Sequence, residues 1–188
     1  MPGPTPSSAV QVVDYDSNWP QIFLQLKSWI WPAVSDVAIA VEHVGSTSVP
    51  GVAAKPVIDV DIVVASRTEL PSILLRLGRL GYQHRGDLGI EDREAFIAPE
   101  NQPAHHLYVC VQNGLALRNH IAIRDYLRTH LSEAVAYSAL KKALAKRFGS
   151  ERARYGEAKT DFILSILERC EFSEKELDSI KRANQALP

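Results

Sequence analysis

A chain of 188 residues with 46% hydrophobic content suffices for one domain with a full core and needs no second. Its 21 Lys and Arg against 22 Asp and Glu leave a formal charge of −1, which argues against the basic field that drives nucleic-acid binding. Cys110 and Cys170 stand far apart and outside any Cys-x-x-Cys spacing, pointing to reduced packing thiols in a cytoplasmic protein and away from structural zinc. The opening MPGPTPSSAV has neither a basic start nor an apolar core, and the one long apolar run is broken by Asp59 and Asp61, so neither a secretion signal nor a membrane span is expected.

In chain order, residues 1–9 are rich in Pro, Gly, Ser and Thr and are expected to form a disordered tail. Residues 10–13 read as a short strand. DYDSNWP then turns the chain into a helix at about residues 20–31, with Ile22, Phe23, Leu26, Trp29 and Ile30 on one side and Pro32 as its stop.

The stretch the rest is arranged to hold is residues 37–64, VAIAVEHVGSTSVPGVAAKPVIDVDIVV. It reads as a strand, a glycine turn into a Ser/Thr-rich start, and a second strand carrying two acids. In residues 57–64 the period of two places Ile58, Val60, Ile62 and Val64 on one face and Asp59 and Asp61 on the other. The two acidic alpha carbons are then roughly 6.5–7 Å apart. Val57 and Val63 frame these acids with hydrocarbon, where two unpaired carboxylates would repel each other and resist desolvation. A divalent cation is the simplest remedy, and hard oxygen ligands suit Mg²⁺. The competing reading is an edge strand whose acids are solvated or paired with Lys55 and arginines. Just upstream, Gly45 and Ser46 form a turn whose N–H groups and hydroxyl can meet a phosphate, or in which Ser46 or Ser48 only caps a helix.

Further along, Ser66-x-x-Glu69 is a capping box opening a helix with Leu70, Ile73, Leu74 and Leu77 on one face, and Gly81 closes it. Residues 82–85, 94–98 and 105–111 read as strands, so the sheet mixes parallel and antiparallel neighbours. His106, Tyr108 and Cys110 share one face of the last strand, where His106 is either a ligand or general base or a packing histidine. From about residue 119 the chain is helical. Arg124 and Arg128, one turn apart, can address one anion or pair with Asp125 and Asp161. A helix at about residues 133–148 presents Tyr137 and Lys141, and one at about residues 151–171 repeats the spacing with Tyr155 and Lys159. Ser173-x-x-Glu176 caps a last amphipathic helix.

No Gly-Lys-Ser/Thr follows Gly51 and no Gly-x-Gly-x-x-Gly is present, which removes the two commonest nucleotide-binding folds. A Gly-Ser turn with an Asp-x-Asp strand thirteen residues later resembles polymerase-beta-like nucleotidyltransferases instead. More closely, the blocks VDYDSNWP, EHVGSTSVPGVAAKPVIDVDIVV, RDYLR and YSALKKALAKRFG, in that order over about residues 10–171, resemble the GrpB family, also called uncharacterised protein family 0157.

That resemblance implies an α+β fold, a nucleotidyltransferase-like mixed β-sheet packed by helices with a helical C-terminal part. The expected boundaries are a single domain at residues 10–172, its sheet part at about 37–111 and its helical part at about 118–172, then a C-terminal helix at 173–188. The resemblance further implies Mg²⁺ on Asp59 and Asp61, His106 as a third catalytic residue, and a nucleoside triphosphate held by Gly45, Ser46, Thr47, Lys55, Arg124, Lys141 and Lys159. A nucleotidyl group would pass to an unidentified acceptor. Such sites normally add a third carboxylate from a neighbouring strand, whereas GrpB-like sequences tend to show two histidines at 105–111, and here Tyr108 takes the second place. Relatives fused to dephospho-coenzyme A kinase imply a second reading, a non-catalytic nucleotide- or coenzyme A-related binding or accessory module.

Overall fold

The computed structural model describes residues 9–186, so the tail expected at residues 1–9 lies outside the described residues except for Ala9. The elements are α1 (Trp19–Val34), β1 (Ala40–Val44), a 3₁₀ turn (Ser46–Ser48), β2 (Ile58–Val64), α2 (Leu70–Arg79), β3 (Gln83–Gly86), β4 (Arg93–Ile97) and β5 (His105–Val111). Five helices follow: α3 (Leu115–Thr129), α4 (Leu131–Phe148), α5 (Arg152–Glu157), α6 (Thr160–Arg169) and α7 (Glu174–Ala186). The sheet order is β1-β2-β5-β4-β3, with β2 and β5 parallel and the other neighbours antiparallel. This is the mixed α+β architecture expected. No helix of the described residues is long and apolar enough to cross a membrane.

The layering follows from β2. Ile58, Val60, Ile62 and Val64 alternate onto one face, meet Leu107 and Val109 of β5, and are covered by Phe23, Leu26, Ile30 and Val34 of α1 with Ile73 and Leu77 of α2. The opposite face carries the acids and a small apolar group, Val63 with Cys110 of β5 and Leu117 of α3. Val49 and Val52, from the loop between β1 and β2, pack with Leu127, Ala134, Tyr137 and Ile166. The loop that carries the glycine turn is thus built into the helical layer.

Four local expectations are corrected. Residues 10–13 form no strand; Val13 makes one antiparallel bridge to Ala54, and the buried Val10 donates its N–H to Gly149 O at 2.7 Å, so this segment ties loop to helix instead of extending the sheet. Pro32 lies inside α1 and does not stop it, because a proline near a helix end forfeits one hydrogen bond while burial of Ile30 and Val34 carries the last turn. The third helix begins at Leu115, ahead of residue 119, with Gly114 in extended conformation as its N-cap. The helix expected at 151–171 is broken into α5 and α6, and the break at Ala158 and Lys159 lets Lys159 turn inward instead of riding a continuous helix face.

Candidate functional site

The site begins with a backbone demand. Gly45 adopts φ 68° and ψ −173°, a region almost closed to residues with a side chain, and a Cβ there would lie 2.1 Å from Asp59 Oδ2. Only glycine lets the turn lie directly on that carboxylate. The turn is then fastened from several sides. Ser48 Oγ donates to Gly45 O at 2.6 Å, while Arg128 Nε and Nη2 donate to Ser48 O at 3.1 and 2.8 Å. His43 Nε2 and Thr47 Oγ1 share a hydrogen bond of 3.0 Å, and the His43 ring stacks on Phe23 with centroids 4.7 Å apart. Burial pushes His43 down to about 4, against the pull of Asp59 and with help from Arg128 and Arg124, so the ring is neutral at physiological pH.

Strand pairing sets the neighbours of the two acids. On the parallel side His106 stands beside Asp59 and Tyr108 beside Asp61; on the antiparallel side Val44 and Glu42 take those places. His106 Nδ1 donates to Asp59 Oδ1 at 2.9 Å, and His120 Nδ1, from α3, donates to Asp61 Oδ2 at 2.7 Å. The acids are therefore paired with imidazoles, neither bare nor bound to guanidinium groups. Their exposure differs: the Asp59 side chain is 30% accessible and the Asp61 side chain 0%. Burial alone would raise Asp59, but its hydrogen bond to His106 and the charges of His106, His120 and Lys55 outweigh it and hold the carboxyl below its usual range. For His120 burial opposes protonation, yet the Asp61 carboxylate, its hydrogen bond and the Asp59 charge raise the imidazole above its usual value.

A carboxylate does stand on a strand beside Asp61. It is Glu42 of β1, and it accepts from Arg124 Nη1 at 2.7 Å. Arg124 also binds Asp125 at 2.7 Å and His43 O at 3.2 Å, so it locks β1 to α3.

Asp59 opens into a cleft of about 480 Å³. Ser46, Thr47, His106, Lys55, Lys141 and Lys159 line it, and Arg85 and Arg152 add further positive charge to its wall. Each helical lysine rests on a tyrosine: Lys141 Nζ lies 4.5 Å from the Tyr137 ring centroid and Lys159 Nζ 4.6 Å from that of Tyr155. Lys141 is only 2% exposed, and among the described residues its Nζ has no hydrogen-bond partner. Burial, reinforced by Lys159 and Lys55 and opposed by Asp59, lowers Lys141 to about 7. Burial and Lys55, again opposed by Asp59, lower Lys159 to about 8. These cations are arranged around a space that holds too little negative charge.

Of the residues singled out from sequence, Ser46, Thr47, Lys55, Asp59, His106, Lys141 and Lys159 meet in this cleft, with Gly45 beneath Asp59. Asp61 lies behind it under α3, and Arg124 is engaged elsewhere. His120 was not among the expected residues. Its one trace in the sequence is the i, i+4 spacing to Arg124, which puts both on the α3 face turned to the sheet.

Asp61 Oδ1 is buried without a hydrogen-bond partner among the described residues. An orphaned carboxylate oxygen two residues from a carboxylate open to the cleft fits a hard divalent cation such as Mg²⁺. Donor atoms of Asp61, Cys110 and His120 also lie within 4.8 Å of one another. Burial and the Asp61 charge raise the Cys110 thiol well above its usual value, so it is a neutral S–H and a poor ligand for a soft metal.

A family model described as GrpB protein matches residues 9–169. The chain is 33% identical over 158 residues to the UPF0157 protein YqkA of Bacillus subtilis, covering 84% of this chain and 46% of that protein, and so spans about half that relative's length. It is 32% identical over 156 residues to the UPF0157 protein SCO7215 of Streptomyces coelicolor, covering 83% of this chain and 81% of that one. The crystal structure of conserved protein GrpB from Enterococcus faecalis matches with a TM-score of 0.75 at 28% identity, over 92% of this chain and 98% of that chain. A Cid1 poly(U) polymerase bound to MgATP matches with a TM-score of 0.53 at 13% identity, over 79% of this chain and 50% of that chain, a likeness of fold alone. The fold is nucleotidyltransferase-like.

Proposed function

The chain belongs to the GrpB protein family, and for this member we propose metal-dependent transfer of a nucleotidyl group from a nucleoside triphosphate to an acceptor. The observation that carries the reading is Lys141, a buried ammonium without a hydrogen-bond partner among the described residues, facing with Lys55 and Lys159 the cleft where Asp59 opens beside the Gly45 turn. Such a surplus of desolvated cations is relieved by a polyanion. The fold likeness to a poly(U) polymerase holding MgATP supports a triphosphate as that polyanion.

Within this reading the terminal phosphates lie against the Ser46 and Thr47 turn and the three lysines. Mg²⁺, held by Asp59 and Asp61, would supply charge neutralisation at the phosphates. His106, oriented through Nδ1 by Asp59, presents Nε2 to the cleft. An acceptor oxygen bonds to the α-phosphorus as the bond to the bridging oxygen breaks. Pyrophosphate leaves with that electron pair, and the acceptor proton passes to His106 Nε2. Arg124 and Arg128 hold β1 and the turn in place and do not contact phosphate.

A second reading, binding without turnover, draws on the burial of Asp61 and the engagement of Glu42 by Arg124. Calorimetric titration with MgATP and the other nucleoside triphosphates tests both. Binding that is lost in Lys141→Met and Asp59→Asn supports the cleft assignment, and pyrophosphate release separates transfer from binding alone. No binding by the parent protein, or equal binding by both variants, overturns the nucleotide reading.

A further inference from the structure

A second and larger cavity, about 670 Å³, lies between α7, the start of α3 and the segment from Gly89 to Arg93. Its volume matches sites that take small molecules and not polymers. Much of its wall is apolar, from Ile90, Leu115, Ala116 and Ile180. Two polar groups in it are unsatisfied. Arg93 is 7% exposed, stacks its guanidinium 4.6 Å over the Tyr108 ring, and makes no ion pair among the described residues, leaving Nε without a partner. Asn119 Oδ1 is buried and likewise without a partner.

Both gaps have a definite complement. A buried guanidinium with no carboxylate is costly, and its planar fork suits a carboxylate from a ligand. The orphaned amide oxygen needs an N–H or O–H donor. Glu91 and Asp92 also line the cavity, tied to Arg67 at 3.1 and 2.7 Å. Their negative charge disfavours a phosphate and favours a ligand with a positive group beside its carboxylate.

We propose that this cavity binds a small zwitterion with an apolar body, of the class of apolar amino acids and short peptides. The carboxylate pairs with Arg93, the ammonium donates to Asn119 Oδ1, and the side chains lie against Ile90 and Ile180. Tyr108 and Asn184 line both this cavity and the cationic cleft, so the occupant lies one side chain from the triphosphate site. Its binding does not rest on the nucleotidyl-transfer reading. Arg93 and Asn119 lie within residues 9–169, the span matched by the family model, and the α7 wall lies outside it.

The test is titration of the full chain with L-phenylalanine and L-phenylalanyl-L-leucine, beside the C-terminal amide and the N-acetyl form of each, followed by calorimetry and amide NMR shifts. Binding is expected to weaken at least tenfold when either charge is removed, and in Arg93→Met, with shifts centred on α7 and the start of α3. Ala183→Phe, which fills the cavity from α7, is a second route should Arg93→Met fail to fold. It should abolish zwitterion binding while MgATP binding persists. No binding of either zwitterion, or equal binding of the uncharged forms, overturns the inference. Zwitterion binding by the parent chain without MgATP binding would instead count against the nucleotide reading and leave the cavity assignment standing.

Discussion

Asp59 and Asp61 lie on one strand and one face, and each accepts a hydrogen bond from the Nδ1 of a histidine, yet their environments differ. Asp59 borders a lysine-lined cleft under a glycine turn, while Asp61 is sealed beneath α3 with one oxygen unsatisfied among the described residues. The comparison teaches that a strand's alternation delivers two carboxylates together, and the helix crossing over them decides which one meets a ligand. It also assigns them different work. Asp61 is a structural anchor for α3 as well as a candidate cation ligand, and Asp59 is the acid poised at the ligand face.

The largest effect should come from Gly45→Ala, on the Asp59 side. Backbone strain and a Cβ placed on the Asp59 carboxylate should together cost about 4 kcal/mol in chemical denaturation. Gly51, at φ 81° with nothing within 4 Å of a Cβ, is the control and should lose far less on the same change.

Next comes the contrast between the two histidines. His120→Ala strands a fully buried carboxylate and should cost about 3 kcal/mol. Equal losses in His120→Ala and His106→Ala would erase the distinction between the acids.

Lys141→Met should instead raise stability at pH 7, by roughly 2 kcal/mol, while removing triphosphate affinity. The sign follows from its lowered value. Below about 7 the folded and unfolded chains both carry the proton and the penalty of a buried charge is present in full. Above 7 the folded chain releases it first, so stability climbs with pH until the unfolded lysine titrates near its ordinary value of 10.5. Lys159, at about 8, adds in the same direction. A bound triphosphate should flatten this rise, and denaturation curves between pH 6 and 10, with and without MgATP, would show it.

The smallest effect is expected from His106→Ala, below about 1 kcal/mol, because Asp59 stays partly open to solvent and within the field of Lys55. Its consequence should appear in pyrophosphate release, not in melting.

Much of this was legible in the residues. The alternation of β2 fixed the faces of its seven residues, and the Ser66 and Ser173 capping boxes marked real helix starts. The Tyr-x-x-x-Lys pairs are intrahelical or local, so spacing alone was enough to find Tyr137 with Lys141 and Tyr155 with Lys159. His120 and Glu42 were not legible. Each reaches the acids through packing between elements far apart in sequence, 59 residues for His120 and Asp61, and no local pattern encodes such a distance. The pairing of Arg124 with Asp125 was among the readings its sequence allowed, but its second partner, Glu42, lies 82 residues away and was not legible for the same reason.

By itself, then, the sequence determined what a short-range period can carry: which face of β2 is acidic, where glycine is obligatory, and which family's blocks the chain repeats. The tertiary structure alone decided that α3 covers Asp61 and spares Asp59, that three lysines converge on the Asp59 cleft, and that α7 walls a second cavity. The physical reason is one of range. Backbone geometry and alternation act within a few residues, whereas burial, and with it the cost of an unpaired charge, exists only once distant elements have closed over it.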